Sequence, residues 1–436
     1  MLKRFLGSGL YTKFDGVLDR VSSSRGKESD ELPNVQETEW FSEDQIIEYQ
    51  EKRLRKLIQY AYNEIPYYKK LFITNKISPG SVKYLEDLEK IPILTRDLAI
   101  RNYPELINPC LVFKTHRSSG TTGPRMKWAY SEIWADLFWK ALWRGFEFAG
   151  LTPDKRVLSL YSPAIGEISK NSLIIREAFD PNEVENDLKL ARNFKPQFAY
   201  FYSSSAYILA SYLIKADERL PLEGFIVTSD QLHPQYRKVI EEAFQCELYN
   251  NYGCNDGGAW GAECEEHSGF HHDFERSILE FDEDGSMLST DLWNYAMPFI
   301  RYKNGDVGKW LNKTCKCGRN MPLFEVNGRI GDFIVTPSNK IISPTAAGSI
   351  FFLNECFADY RIIQHSESEI EILYVNNNDF SAEYCENLLK PFTSLIDDMN
   401  IVINPTDHIE RSSSLKRRSI ENRSPRTIDQ VFKVGR

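Results

Sequence analysis

The stretch RSSGTTGPRMK, residues 117 to 127, concentrates side chains suited to holding an anion. Gly120 and Gly123 let the backbone approach a charged ligand, and successive N–H groups can converge on it. Ser118, Ser119, Thr121 and Thr122 add hydroxyl donors, while Arg117, Arg125 and Lys127 add positive charge. The run is not a Walker P-loop, which places a lysine directly after its last glycine. Here Pro124 follows Gly123. Composition alone leaves two readings open: a phosphate cradle of another kind, and a Ser/Thr/Gly surface turn.

A second group carries metal chemistry. CEEH at 264–267 and CKC at 315–317 offer three thiols and an imidazole in two short clusters. Cys264, His267, Cys315 and Cys317 form a two-plus-two set, and thiolates with imidazole favour Zn²⁺. His271 and His272 compete with His267 for the fourth position, and C-x-C is tighter than the commoner C-x₂-C. A closed four-ligand site would be structural and not catalytic. The opposing reading is a set of unrelated reduced thiols.

The elements that must position these residues are legible in the spacing of apolar side chains. From Asp44 to Leu71 they recur at helical intervals, with Pro66 as an interruption. EIWADLFWKALWRGFEFAG, 132–150, predicts an amphipathic helix ending at Gly150, its aromatic stripe facing a core. RVLSLYSP, FAYFYSS and GFIVTSD read as strands alternating with the helical stretches SAYILASYLIKADERL and PQYRKVIEEAFQ. That alternation argues for α/β layers on a largely parallel sheet. From Ser277 short strands and turns follow, then RIIQHSESEIEILYV as a hairpin and SAEYCENLLKPFTSLIDDM as a helix. A boundary near Asp332 fits, dividing a large domain, 1–331, from a small one, 332–436.

At 436 residues the chain exceeds what one hydrophobic core usually serves. Its net charge of −9 argues against a nucleic-acid partner, which calls for a basic face. The locally basic tail from Arg411 reads by default as a solvated charge run. No apolar stretch is long enough to span a membrane, and the N-terminus lacks the continuous apolar core of a signal peptide. Eight cysteines spread over this length suit a reducing compartment, and the expected location is the cytoplasm.

Taken in order, several segments resemble one family. LRKLIQYAYNEIPYYKKLF and LEDLEKIPILTRDLAIRN are similar to the N-terminal signature of adenylate-forming enzymes, in the phenylacetate–CoA ligase and CapK-like branch. SSGTTGPR at 118–125 resembles their nucleotide-binding loop, LYNNYGCND at 248–256 their tyrosine–glycine motif, and MPFIRYKNGDVG at 297–308 the motif carrying a ribose-binding Asp. CKCGRNMPLFEVNGRIGDFIV at 315–335 resembles the Cys-rich turn and hinge.

The resemblance implies a mixed α/β fold, with a large N-terminal domain and a small α+β lid. It also implies an ATP- and Mg²⁺-dependent ligase that adenylates a carboxylate and passes the acyl group to an acceptor. On this reading Ser119, Gly120, Thr121, Thr122 and Gly123 hold the β- and γ-phosphates, with Lys127 the candidate basic residue beyond them. Tyr252 would stack on adenine, with Asn250, Asn251 and Gly253 shaping the pocket. Asp256 stands where a magnesium-binding Glu is usual, and Asn255 where a hydroxyl residue is usual. Asp306 would accept from the ribose hydroxyls, with Arg301 and Arg329 near the nucleotide and Asp332 at the hinge. Lys416 in SSSLKRRSI matches the lid lysine best, although Leu415 replaces the usual glycine. Tyr161, Phe201, Tyr202, Asp230 and Trp260 are candidates for the acyl pocket. The expected acceptor is an amine, such as one on a nucleotide-linked sugar, forming an amide in surface polysaccharide synthesis. CoA is the alternative acceptor, and a nucleotide-binding relative without catalysis is a third reading.

Overall fold

The computed structural model describes residues 32–117, 126–160, 171–175, 181–229, 231–329, 334–338, 341–342, 351, 356–376, 380–396, 398–409 and 420–424. The phosphate-loop candidates Ser119, Gly120, Thr121, Thr122 and Gly123 lie outside them, as do Tyr161, Asp230, Asp332 and Lys416.

Helix α1, Glu43–Glu64, starts at a reciprocal cap in which Ser42 accepts from the Gln45 amide and Gln45 accepts from the Ser42 amide. Pro66 cannot continue that ladder and instead opens α2, Pro66–Thr74, at its first position. A shorter helix, α3, Arg96–Arg101, is capped by Thr95. Strands β1, Lys114–Arg117, and β2, Lys127–Tyr130, pair antiparallel. Their register sets Arg117 opposite Lys127, so the two basic residues close the base of the intervening loop. Helix α4, Glu132–Phe148, buries Trp134, Leu137, Arg144 and Phe146, and Gly150 follows it with φ of +81°.

The parallel half comprises β3, Val157–Leu160, β4, Ser172–Ile175, β5, Phe198–Tyr202, β6, Gly224–Thr228, and β7, Leu248–Cys254. Helices α5, Pro181–Phe194, α6, Ser203–Lys215, and α7, Pro234–Phe244, alternate with them. Every residue of β5 and β6 is buried, as parallel strands covered on both faces must be. The antiparallel half runs β8, Ala259–Ala262, β9, Phe270–His272, β10, Ser277–Phe281, β11, Ser286–Asp291, β12, Tyr302–Leu311, and β13, Leu323–Arg329. Together they form one eleven-stranded sheet in the order β10-β11-β12-β13-β9-β8-β7-β6-β5-β3-β4. β7 is the seam, parallel to β6 on one side and antiparallel to β8 on the other.

β14, Ile334–Val335, and β15, Ile341–Ile342, make a small antiparallel pair. β16, Phe357–Gln364, and β17, Glu369–Asn376, form the hairpin expected from RIIQHSESEIEILYV. With β18, Asn400–Pro405, and β19, Ile420–Asn422, they build a four-stranded sheet covered by helix α8, Ala382–Leu395. This region has its own core, including Ile334, Tyr360, Ile372, Leu389 and Phe392.

Candidate active site

The seam strand β7 ends in Tyr252, Gly253 and Cys254, at the carboxyl edge of the parallel half where α/β sheets present ligands. Strand alternation divides its side chains between two faces. Tyr252 turns to the face holding Phe270 and Phe324, whose ring centroids lie 6.0 and 5.6 Å from its own. There its hydroxyl donates to Asp306 Oδ2 at 2.6 Å. Asn304 Nδ2 reaches the same hydroxyl at 3.3 Å, and its Oδ1 accepts the Asp306 amide at 2.9 Å. The tyrosine–glycine motif and the NGDVG motif, 54 residues apart, thus meet in one hydrogen-bonded unit.

Asn251 and Gly253 turn the other way. A Cβ on Gly253 would fall 2.0 Å from the Trp260 ring, so only glycine fits beneath that indole. Asn251 Nδ2 approaches Gly145 of α4 and is fully buried. The expectation that Asn251 helps shape the adenine pocket therefore needs correction: period two places it across the sheet from Tyr252.

Asp256 follows in the turn after β7. Its Oδ2 accepts from the Tyr302 hydroxyl at 3.3 Å, and its Oδ1 lies 3.1 Å from the Cys254 thiol. Burial and the nearby Asp256 carboxylate push the Tyr302 phenol well above its ordinary range, which keeps it a donor. The Arg96 guanidinium stands 3.9 Å from Asp256 Oδ2. It arrives there because Leu94 exchanges backbone hydrogen bonds with Arg301 and Lys303, pinning the start of α3 to β12. Arg96 was absent from the residues singled out above, although it sits in LTRDL within the segment carrying the resemblance.

Lys127 is exposed at the loop end of the β1–β2 hairpin, its Nζ 5.0 Å from the Tyr103 ring centroid. The Arg329 backbone pairs with that of Asp306. Arg301 does not reach toward the nucleotide motifs. Its guanidinium binds Glu280 and the carbonyl of Ile91, and its φ is +50°. It braces the entry to β12.

Cys264, Cys315 and Cys317 converge as expected, but with His271 as their partner. Their ligand atoms all lie within 4.8 Å of one another. Cys264 and Cys315 sulfurs are 3.5 Å apart, and His271 Nε2 lies 3.2 and 3.6 Å from Cys264 and Cys317. Tetrahedral Zn²⁺ with Zn–S bonds of about 2.3 Å requires ligand separations of roughly 3.5–3.8 Å, so the donor set fits the ion. Burial, with Arg319 adding to it, lowers the His271 pKa to about 4, leaving the neutral imidazole that ligates metal. His267 is the correction. It occupies a turn with φ of +45°, its Nδ1 3.2 Å from Glu263. β9 instead carries His271 across the sheet beside Leu323, toward the turn that bears Cys315 and Cys317. His272 points elsewhere, to Ser277 at 3.2 Å.

No protein-family model matches the chain. It is 24% identical over 363 residues to phenylacetate–coenzyme A ligase of Thermus thermophilus, covering 77% of this chain and 82% of that one. Protein CapK of Staphylococcus aureus is 20% identical, over 77% of this chain and 79% of its own. The chain is thus similar, over most of its length, to adenylate-forming, AMP-forming ligases of the phenylacetate–CoA ligase and CapK-like branch. Its fold agrees. A 2-hydroxyisobutyryl-CoA ligase in the post-adenylation state superposes with a TM-score of 0.72 at 16% identity, covering 94% of this chain and 96% of that one. Among the described residues no helix is long and apolar enough to cross a membrane.

Proposed function

We propose that this ligase activates a carboxylic acid with ATP and passes the acyl group to the thiol of CoA. The observation that carries the reading is the Tyr252–Asp306 hydrogen bond, which joins the two nucleotide motifs beside Asp256. In the first half-reaction a carboxylate oxygen bonds to the α-phosphorus, and the bond to the β-phosphate oxygen breaks as pyrophosphate leaves with that electron pair. In the second, the CoA sulfur bonds to the acyl carbon, the bond to AMP breaks, and the thiol proton passes to solvent.

On this reading the Tyr252 ring packs against adenine, and Asp306, already aligned by Tyr252 and Asn304, accepts from the ribose hydroxyls. Asp256 offers an oxygen ligand of the kind Mg²⁺ requires and keeps a partly exposed carboxylate, so the residues fit that ion. When bound, Mg²⁺ neutralises charge on the phosphate oxygens. Arg96, beside Asp256, and Lys127, at the start of β2, add positive charge for the same group. Lys416 is assigned to a lid that brings a further cation to the α-phosphate, with residues 332–436 moving as a unit. The Cys264, His271, Cys315 and Cys317 set holds a structural Zn²⁺, tying the turn before β9 to the turn before β13.

An amine acceptor, with an amide product in surface polysaccharide synthesis, is the second reading, and the similarity to CapK favours it. ATP–pyrophosphate exchange over a panel of acids tests the first half-reaction; absence of exchange with every acid despite ATP binding refutes it. Mass analysis of the product with CoA or amines then decides the acceptor.

A further inference from the structure

The face of β7 and β8 turned toward α4 holds polar groups that the nucleotide chemistry leaves unused. Arg276 is 2% exposed, and its Nη1 and Nη2 have no hydrogen-bond partner. Its guanidinium carbon lies 5.3, 5.0 and 5.8 Å from the ring centroids of Trp134, Phe138 and Trp260. Trp260 Nε1 and both amide atoms of Asn251 are likewise buried without a partner. Three carboxylates act on Arg276 electrostatically, Asp273, Asp291 and Glu275, and their hydrogen bonds go to other groups, with Asp273 Oδ2 left without one. Asp291 binds Trp134 Nε1 at 2.6 Å and the amides of Trp293 and Asn294. Asp273 Oδ1 and both Glu275 oxygens bind Arg144. Burial drives the Arg276 pKa down and those of Asp273 and Asp291 up, the direction expected where buried charge lacks solvent.

The unused groups are mostly donors: two guanidinium nitrogens, an indole N–H and an amide NH₂, against two acceptors, Asn251 Oδ1 and Asp273 Oδ2. Aromatic faces stabilise a cation but accept no directed hydrogen bond of the strength a carboxylate offers. Two adjacent guanidinium N–H groups match the two oxygens of one carboxylate. The cluster also borders the tyrosine–glycine motif, because Trp260 lies over Gly253, the residue after Tyr252. We propose that Arg276, with Asn251 and Trp260, forms a subsite for an anionic group on the far end of the acid, making the substrate a carboxylic acid that bears a second carboxylate. The proposal rests on the reading that the protein adenylates a carboxylate.

The test compares acids matched in length, butyrate with succinate, valerate with glutarate, and phenylacetate with its para-carboxylated counterpart, in ATP–pyrophosphate exchange. Thermal stabilisation of the intact protein by each acid, without ATP, is measured alongside. The diacid of a pair is expected to exceed the monoacid in kcat/KM by on the order of 10²-fold or more, the scale for sites whose buried polar groups are otherwise left unpaired. R276Q should erase that preference and R276K retain part of it. N251D, which sets a negative charge beside the subsite, should depress diacid use and serves if R276Q does not fold. Equal exchange with both members of every pair, and no stabilisation by diacids, overturns the subsite and leaves adenylation standing. Stabilisation by diacids that R276Q or N251D removes, with no exchange for any acid, supports the subsite and overturns the adenylation reading. Neither exchange nor stabilisation overturns both.

Discussion

Replacing Arg144 with Met tests the packing beneath the candidate site. Arg144 is 1% exposed on its side chain, and its two terminal nitrogens make four hydrogen bonds. They reach the Val35 carbonyl at 2.8 Å, Glu275 at 2.7 and 3.0 Å, and Asp273 at 2.6 Å. Glu275 retains the Thr38 hydroxyl after the substitution, whereas Asp273 Oδ1 loses this partner. Removing one member of a buried ion network costs about 3–5 kcal/mol, because the other charges stay buried without compensation. In a domain of this size that corresponds to a fall of roughly 5–10 °C in Tm. The loss depends on pH. Burial already raises the Asp273 pKa, and Arg144 is the leading influence that opposes it. Without Arg144 the folded-state value climbs further above the unfolded one. A raised folded pKa contributes stability below the unfolded pKa and loses it as pH rises, so the penalty of R144M relative to wild type should widen from about pH 5 to pH 8. Differential scanning fluorimetry at both pH values reads this directly. An unchanged Tm, or a penalty that narrows with rising pH, refutes the account, and adding D273N and E275Q to R144M should recover part of the loss.

Asp306→Ala is expected to weaken ATP binding by roughly 10- to 100-fold, from the 1.5–3 kcal/mol of a charged acceptor. Undiminished affinity by calorimetry removes its ribose role. Y252F, which deletes only the hydroxyl bound to Asp306, should cost less. Elemental analysis should find one zinc per chain in wild type and in H267A, and none in H271A; zinc retained by H271A contradicts the ligand set. Lys416→Ala should leave ATP affinity nearly intact while adenylation falls by on the order of 10²–10³, the scale for one lost transition-state donor. An unchanged rate in pre-steady-state AMP formation sinks the lid assignment.

The sequence revealed more of the fold than of the site, for physical reasons that particular residues show. Hydrophobic period is a local property, so α4, α6 and α7 and the strands between them were readable from runs of about ten residues. The convergence of Cys264 with Cys315 across 51 residues was legible because thiols in short clusters have few other uses. The identity of the histidine was not. It depends on the register of β9 against β13, which sets His271 beside Leu323 and leaves His267 in the turn. Arg96 escaped for a similar reason: only the pairing of Leu94 with the start of β12 brings it to Asp256. The face assignment of Asn251 needed the knowledge that YNNYGC is a strand, after which alternation alone divides it from Tyr252.

That alternation is the economy on which the site rests. One strand, β7, stands where the parallel half of the sheet meets the antiparallel half, so both its faces are walled by different elements. Tyr252 faces β12 and β13, whose register sets Asp306 within 2.6 Å of its hydroxyl. Asn251 and Gly253 face α4 and Trp260, where Arg276 sits among aromatic rings. Successive residues of one motif therefore face two different environments, the one proposed for nucleotide and the one proposed for the acid, and a one-residue slip in register would exchange them. The small side chain at position 253 is the pivot of this arrangement. Any Cβ there would fall 2.0 Å from Trp260, so G253A is expected to move the indole that stands beside Arg276. Because Gly253 also precedes Cys254 and follows Tyr252 on β7, the same methyl group presses on the strand that carries the Tyr252–Asp306 contact.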